Sequence, residues 1–371
     1  TNVVANCDES GTGDNNAVCQ NNEDGIDNVF VGPVTQSNND PAAGTNVIDV
    51  VTDDEFINIC NESGIGNNNV DCTNVGDEEI ESISQSNTVT GSDLSSAGLV
   101  VENTVATLQG VELTNTCSET DDGDNNAVCN NELENLIGPI SQTNNIAGDI
   151  PDDIHINNFQ ATQLAAAQND CDESGAGNNE ANCENISGSN DNAGVTQLNE
   201  VTSADSAAQT NNATLFQALD LLNNCDESGE GVNNPLACDT DVIDNEIDLI
   251  TQTNTATGSP LADILQNNQI AGSDGLAPGI IQVITAENDC DEAGPGNNLA
   301  NCGLLGVENE DIDSITQDNE VTGADDASTA SQDNVLSIIE TITVENDCDE
   351  TSINAGDNEA NCQLEASLEN D

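Results

Sequence analysis

The residues of this sequence that are best suited to chemistry are carboxylates and amides enclosed between pairs of cysteines. The first such segment reads CDESGTGDNNAVC, and similar segments recur along the chain. Hard divalent cations take about six to eight oxygen ligands, which a Gly-rich acidic loop closed by a disulfide can supply. The pattern predicts calcium in these loops, with merely solvated acidic turns as the alternative. The candidate ligands are Asp8, Glu9, Asp14, Asn16, Glu62, Glu119, Asp124, Asp172, Glu173, Asp226, Glu227, Asp291, Glu292, Asp349, Glu350 and Asp357.

The acidic segments resemble the Asp-rich, cystine-bounded calcium loops of thrombospondin type 3 repeats, although the alternating-Asp pattern of that family is missing. Glu follows the first cysteine by two positions in all seven segments. The intervening residue varies, being Asn61 in the second segment and Ser118 in the third. We therefore expect the ligand sets to differ between loops.

The 14 cysteines fall into seven sequential pairs, five of which share one spacing. An even count without a CxxC motif or a nearby His favours local disulfides over zinc. Disulfides indicate an extracellular or cell-surface location. The chain starts at Thr1 without Met, which predicts that a secretion signal has been removed, and no window reaches the length of a membrane span. The predicted pairs are Cys7/Cys19, Cys60/Cys72, Cys117/Cys129, Cys171/Cys183, Cys225/Cys238, Cys290/Cys302 and Cys348/Cys362.

The charge composition is one-sided, with 71 Asp and Glu, one His and neither Lys nor Arg. Cations from solution or bound metal ions must therefore offset the repulsion. Without a basic patch, nucleic acid is not expected as a partner. Disorder is an alternative for a chain with this charge and 1% aromatic residues. The paired cysteines and the regular repeat favour a folded protein instead.

Catalysis is not expected from this chain. Raising the pKa of one carboxyl group requires an apolar pocket with supporting groups, and no unique segment interrupts the repeat to form one. The only histidine, His155, is predicted to lie in a surface loop. The sequence therefore indicates a protein that is not an enzyme.

An internal repeat of 53 to 65 residues, measured between the first cysteines of successive pairs, spans the chain. The acidic segment of each repeat is interpreted as a turn structure. The first and last units are partial, which predicts open ends that could join head to tail. The predicted repeats are 1–59, 60–116, 117–170, 171–224, 225–289, 290–347 and the partial unit 348–371.

The second recurring segment, such as SITQDNEVTG from Ser314, has the two-residue period of a β-strand. One face carries Ile315, Gln317, Asn319 and Val321, and the other carries hydroxyl and acidic residues. Stacked Gln and Asn side chains would form hydrogen-bonded ladders. These features predict an all-β, elongated, β-solenoid-like protein with about four rungs in each repeat. The alternative is a string of small, disulfide-stapled β-sandwich modules.

Three Asn-x-Ser/Thr triplets predict N-glycosylation at Asn61, Asn185 and Asn212. Such triplets also arise by chance in an Asn-rich chain. Glycans at these positions would suit a secreted surface protein.

The CDESGxG segment, the Asn-rich second cysteine and the SITQxN strand together resemble the acidic, Asn/Gln-rich repeat proteins of ammonia-oxidising archaea. The resemblance covers the whole chain and implies a cell-surface or extracellular location, but no catalytic residue. We expect a structural subunit of a polyanionic filament that assembles head to tail with calcium. The alternatives are a monomeric, cation-gathering envelope or matrix protein and an adhesin stalk.

Overall fold

A computed structural model of the chain describes most of the sequence. The described residues contain no helix and are nearly all in β-strands. They are residues 2–12, 15–21, 30–38, 44–65, 68–90, 100–120, 125–147, 153–175, 179–202, 206–229, 234–257, 263–271, 279–293, 298–309, 314–322, 329–351 and 359–368.

The strands occur in a repeating order of one long, one medium and one short strand. They are β1 (Asn2–Thr12), β2 (Asn15–Asn21), β3 (Phe30–Val31), β4 (Val34–Asn38), β5 (Gly44–Ile65), β6 (Asn68–Ile80), β7 (Ile83–Thr90), β8 (Val100–Thr120), β9 (Asn125–Ile137), β10 (Ile140–Ala147), β11 (Asp153–Gly175), β12 (Asn179–Asn192), β13 (Val195–Thr202), β14 (Ser206–Gly229), β15 (Asn234–Ile247), β16 (Ile250–Thr257), β17 (Asp263–Ile270), β18 (Ile280–Ala293), β19 (Asn298–Asn309), β20 (Ile315–Thr322), β21 (Thr329–Leu336), β22 (Ile338–Thr351) and β23 (Glu359–Leu368).

These strands form three parallel sheets that continue from repeat to repeat. The first sheet has the order β1-β5-β8-β11-β14-β17-β21, with β18 beside β14 and β22 beside β18. The second has the order β2-β6-β9-β12-β15-β19-β23, with β3 beside β6, and the third has the order β20-β16-β13-β10-β7-β4. Because each sheet continues from repeat to repeat, the all-β solenoid prediction is confirmed and the sandwich-module alternative is wrong.

Each coil folds into two layers. The long strand of the first sheet packs against the second and third sheets, which follow each other along the opposite side. Asn58 of β5 donates a hydrogen bond from Nδ2 to the carbonyl of Thr73 in β6 (3.0 Å), and Asn87 of β7 donates one from Nδ2 to Asn103 Oδ1 in β8 (2.9 Å). Alternate residues of each strand point into the space between the layers, as the two-residue period requires. The inward positions of β8 are accordingly buried and the outward positions are not.

One sequence repeat forms one coil, so the expectation of about four rungs per repeat is wrong. Successive coils pair in register, with Cys7 opposite Cys60 and Cys60 opposite Cys117. The expectation fails because the strands are long: β5 alone has 22 residues and spans about 70 Å at about 3.3 Å per residue. The strands of the first sheet number seven along its main path, which gives an axial rise of roughly 34 Å.

The long repeat of 225–289 is accommodated by an interruption in the first sheet. The single strand β14 pairs with both β17 and β18 of the next coil. Two residues lie between Asn212 and Leu215, whereas ten lie between their partners Gln269 and Ile280. The additional residues leave the strand pairing on either side in register.

Two-residue corners join the second sheet to the third at residues 32–33, 81–82, 138–139, 193–194 and 248–249, and glycine is required at two of them. A Cβ atom at Gly138 would overlap the carbonyl oxygen of Glu81 in the neighbouring coil. Gly194 has a φ of 99°, in the region that favours glycine. These corners hold the third sheet in line with the second.

Candidate functional site: stacked cystines, amides and carboxylates

Five of the predicted disulfides are present among the described side chains, and they stack along the coil axis between the first and second sheets. They join Cys60 to Cys72, Cys117 to Cys129, Cys171 to Cys183, Cys225 to Cys238 and Cys290 to Cys302, with Cα–Cα distances of 6.5 to 6.7 Å. The side chains of Cys19, Cys348 and Cys362 lie outside the description, but their backbones occupy the same register positions.

The sulfur atoms of Cys117, Cys129 and Cys171 lie within 4.8 Å of one another. This proximity follows from the stacking of one disulfide on the next. All three are oxidised, and a metal ligand must be a thiolate. The cysteine cluster is therefore a structural ladder.

Buried amides form ladders that run through the coils, as the alternation in the sequence predicts. In the third sheet, each Asn donates from Nδ2 to Oδ1 of the Asn one coil further along. The distances are 3.0 Å from Asn87 to Asn144, 2.9 Å from Asn144 to Asn199, 3.0 Å from Asn199 to Asn254 and 2.9 Å from Asn254 to Asn319.

A Gln ladder runs beside the Asn ladder and donates in the opposite axial direction. Gln142 Nε2 lies 3.1 Å from Gln85 Oε1, and Gln197 Nε2 lies 2.9 Å from Gln142 Oε1. Because these amides are buried, a slip in register would leave their polar atoms without partners, at a cost of about 1–3 kcal/mol each. The ladders therefore fix one coil on the next.

The Asp and Glu that follow the first cysteine do not converge on one ion where both are described. The segment Cys171 to Gly175 continues strand β11 and is not a turn. Asp172 is exposed on the outer face, whereas Glu173 is 1% exposed and faces inward. Neighbouring residues of a strand point to opposite faces, so the predicted pairing of Asp172 with Glu173 in one site is wrong.

The recurring glutamates share one register column along the axis. Glu119 lies opposite Glu173 in the neighbouring coil, and both are buried. Successive pairings in the column join Glu9 to Glu62, Glu62 to Glu119, Glu119 to Glu173, Glu173 to Glu227, Glu227 to Glu292 and Glu292 to Glu350. The structure thus groups the glutamates of different repeats, which the sequence interpretation assigned to separate loops.

Glu119 and Glu173 bind the backbone of the strand that follows the acidic segment. Glu119 Oε2 accepts a hydrogen bond from the amide of Asn126 (3.1 Å), and Glu173 Oε1 accepts one from the amide of Ala127 (2.8 Å). Burial first, and then the charge of Glu119, raise the pKa of Glu173 to about 8, and hydrogen bonding by the amides of Ala127 and Glu180 opposes the shift. These contacts give the glutamates a role in fastening the first sheet to the second.

The aspartates of the same segments form an exposed row on the outer face of the first sheet. Asp172, Asp226 and Asp291 occupy one register column. Burial and then the charges of neighbouring aspartates, among them Asp172 and Asp291, raise the pKa of Asp226 above its usual value. The pKa of Asp172 is raised by burial and by Asp170. The row is therefore a surface of strong negative potential.

Several predicted ligands lie outside the structural description. Asp14, Asp124 and Asp357 belong to segments that the structure does not describe. For a further group only the backbone is placed: Asp8, Glu9, Asn16, Glu62, Glu227, Glu292, Asp349 and Glu350. Calcium binding by these residues stays a prediction.

His155 is buried, so the prediction of a surface-loop residue is wrong. It lies on the inner face of β11 with 0% exposure, between Val101 and Gln209 in the adjacent coils. Neither ring nitrogen has a hydrogen-bond partner among the described residues. Burial lowers the pKa of His155 to about 3, so the imidazole is neutral.

Other buried carboxylates were missed by the sequence interpretation. Asp54 and Glu78 face inward from opposite layers of one coil, and the Thr52 hydroxyl donates a hydrogen bond to Glu78. Asp153 is also buried, two residues before His155. The alternation of inward and outward residues along each strand could have identified them, because each occupies an inward position of its strand.

The three predicted glycosylation sites have different environments. Asn185 is 1% exposed, and its Nδ2 donates to Asn223 Oδ1 (2.9 Å) inside the amide ladder. A glycan on that nitrogen is incompatible with the fold, so this prediction is wrong. Asn61 is exposed, and Asn212 is partly buried with Nδ2 donating to Asn158 Oδ1 (3.0 Å). Glycosylation at these two positions stays a prediction.

The outer face of the first sheet also carries an apolar column. Val51, Leu108, Phe216, Ile281 and Ile339 share one register column, with Thr162 at the remaining position. Val51 is 62% and Ile339 is 48% exposed. Beside the column, Gly110, Leu164 and Ala218 line a shallow groove of about 390 Å³.

The fold and these columns define a disulfide-rich, parallel β-solenoid with two layers per coil and buried amide and carboxylate ladders. The disulfides fit a secreted or extracellular protein. Within the part of the chain that the structure describes, no helix is long and apolar enough to cross a membrane. Comparisons of the chain with protein-family models, with curated proteins and with solved structures find no match. The resemblance to archaeal repeat proteins stays a prediction.

Proposed function

We propose that this chain is a structural, non-enzymatic subunit of an extracellular filament in which coils of successive subunits stack along the solenoid axis. The observation that carries the proposal is the coil-to-coil register. Cystine follows cystine and Asn follows Asn through the sheets, so the edge of one coil is complementary to the edge of another. A solenoid edge of this kind is a template for a further strand layer.

The amide ladders supply specific contacts for a stacked copy. Asn254 donates within its own coil to Asn268 Oδ1 (2.9 Å) and to the next coil at Asn319 Oδ1 (2.9 Å). Asn319 makes the corresponding contact within its own coil, to Asn334 Oδ1 (2.8 Å). A second copy that places Asn38 in register beyond Asn319 would accept the axial hydrogen bond from Asn319.

Cations are an essential part of the proposal. The formal charge of −71 over roughly 34 Å of axial rise is about two charges per Å, whereas duplex DNA carries one per about 1.7 Å. The sheets are wide, so this charge is spread over a large surface. It still requires neutralisation before two copies can stack. Bound calcium together with condensed monovalent ions would supply it.

Electron cryo-microscopy of the purified, oxidised chain tests the proposal. We expect filaments in calcium that show a strand repeat of about 4.8 Å and a subunit repeat of roughly 34 Å. Addition of a chelator in low salt should shorten or disperse them. Monodisperse single subunits at every calcium concentration would contradict the filament.

The exposed aspartate row favours a second candidate, a monomeric protein that gathers cations in a cell envelope or matrix. Asp172, Asp226 and Asp291 repel one another, and a diffuse layer of cations would relieve that repulsion. This candidate predicts sodium and calcium uptake without assembly. An adhesin stalk is the further alternative, and isolation of the intact surface assembly would reveal its partner chain.

A further inference from the structure

We propose that calcium ions bind inside the solenoid, between successive glutamates of the inner column, with each ion shared by two neighbouring coils. The pair Glu119 and Glu173 is the described example. The inference rests on the proposed cation-supported role and identifies where the ions sit. It replaces separate loop sites with one axial series.

Glu173 provides the observation that points to a ligand. Its side chain is 1% exposed, Oε1 accepts a hydrogen bond from the amide of Ala127, and the amide of Glu180 also acts on the carboxyl group. Oε2 is buried without a hydrogen-bond partner among the described residues. A buried, unpartnered carboxylate oxygen is costly, and the chain contains no Lys or Arg that could approach it.

The second observation is the position of Glu119. Its backbone lies opposite Glu173 in the adjacent coil, and its charge acts on Glu173. Two carboxylates that face each other on adjacent coils repel each other in a buried site, whereas one divalent cation between them gives a neutral group. The same register relation recurs for each successive pair of glutamates in the column.

The coil spacing selects the size of the ion. Parallel strands lie about 4.8 Å apart, so an ion midway between equivalent oxygens would lie about 2.4 Å from each. Calcium–oxygen distances are about 2.3–2.6 Å, whereas magnesium–oxygen distances are about 2.0–2.1 Å. Calcium therefore fits without displacing the coils, while magnesium would require them to move together.

A matched pair of variants tests the site. Glu173→Gln removes a charge from the inner column and keeps an oxygen that can accept from Ala127. Asp172→Asn removes the same charge from the adjacent residue, on the outer face. Calcium is titrated calorimetrically into each full-length, oxidised chain in sodium chloride at about 0.3 M, which screens diffuse binding to exposed carboxylates.

We expect Glu173→Gln to lose calcium from the high-affinity class and Asp172→Asn to retain it. Because one ion is shared, the loss in the double variant Glu119→Gln/Glu173→Gln should be smaller than the sum of the two single losses. Equal losses in Glu173→Gln and Asp172→Asn, or strictly additive losses in the double variant, would overturn the proposal. Far-UV circular dichroism establishes that each variant is folded.

A measurement on the unsubstituted chain covers the case in which a variant does not fold. Eu³⁺ replaces Ca²⁺ in oxygen sites, and its luminescence lifetime in H₂O and D₂O reports the coordinated water. A buried column predicts a class of Eu³⁺ ions with less water than ions at the exposed aspartates, and fully hydrated ions alone would refute it. Microscopy of the unsubstituted chain separates the two proposals. Filaments that form without any high-affinity class of calcium would leave the filament standing and refute the axial site.

Discussion

The amide ladder offers the sharpest test of the fold, because adjacent asparagines of β10 point to opposite faces. Asn144 is fully buried and Asn145 is partly exposed. The Asn145 side chain donates one hydrogen bond, to Glu200 Oε2 (3.2 Å). Asn144 Nδ2 donates to Ile156 O, Asn157 Oδ1 and Asn199 Oδ1, and its Oδ1 accepts from Asn87 and Asn103.

Asn144→Ala should be far more destabilising than Asn145→Ala. The Asn144 amide can use two N–H groups and two lone pairs, so about four hydrogen bonds are lost at about 1 kcal/mol each, or about 4 kcal/mol. The space left by the side chain adds to this cost. Asn145→Ala removes one partly exposed hydrogen bond and should change the free energy of unfolding by about 0.5 kcal/mol or less.

The assay is urea unfolding followed by far-UV circular dichroism. The chain has no Trp or Tyr for fluorescence, and guanidinium would screen the carboxylates as a cation. Because repeat proteins can unfold in parts, transition midpoints are compared at fixed calcium and salt. Equal midpoints for the two variants would refute the assignment of Asn144 to a buried ladder of hydrogen-bonded amides.

Two further substitutions test the interior and the corners. The pKa of His155 is lowered to about 3 when folded, so the unfolded chain binds the proton first and stability falls as pH drops below about 6.5. His155→Gln, which continues the column of Gln209, should remove about 1 kcal/mol per pH unit of that dependence between pH 5 and 6.5. The measurement is a set of urea titrations across that range, and an unchanged pH slope would contradict the burial. Gly138→Ala should prevent normal folding because its Cβ would overlap the Glu81 carbonyl. Gly188→Ala meets only the ends of two leucine side chains and should shift the thermal midpoint slightly, so similar midpoints for the two variants would refute the corner geometry.

The sequence alone determined the features that depend on local spacing. The alternation in ITQDN-type segments indicates strands and separates Gln and Asn from Thr and acidic residues, because a strand has a period of two. The disulfide pairs follow from separations of 12 to 14 residues, which one reversal of the chain can close. The amide ladders follow in turn, because identical residues recur at the same place in each repeat.

The tertiary structure decided which residues of different repeats meet. The partners of Asn144 in the ladder lie 55 and 57 residues away, so strand length and coil size depend on pairing that no local pattern encodes. The continuation of β11 through Cys171 to Gly175 separates Asp172 from Glu173, and stacking then joins Glu173 to Glu119. His155 and Asn185 are buried for the same reason, since an inward position is closed only when the neighbouring coils and the opposite layer cover it.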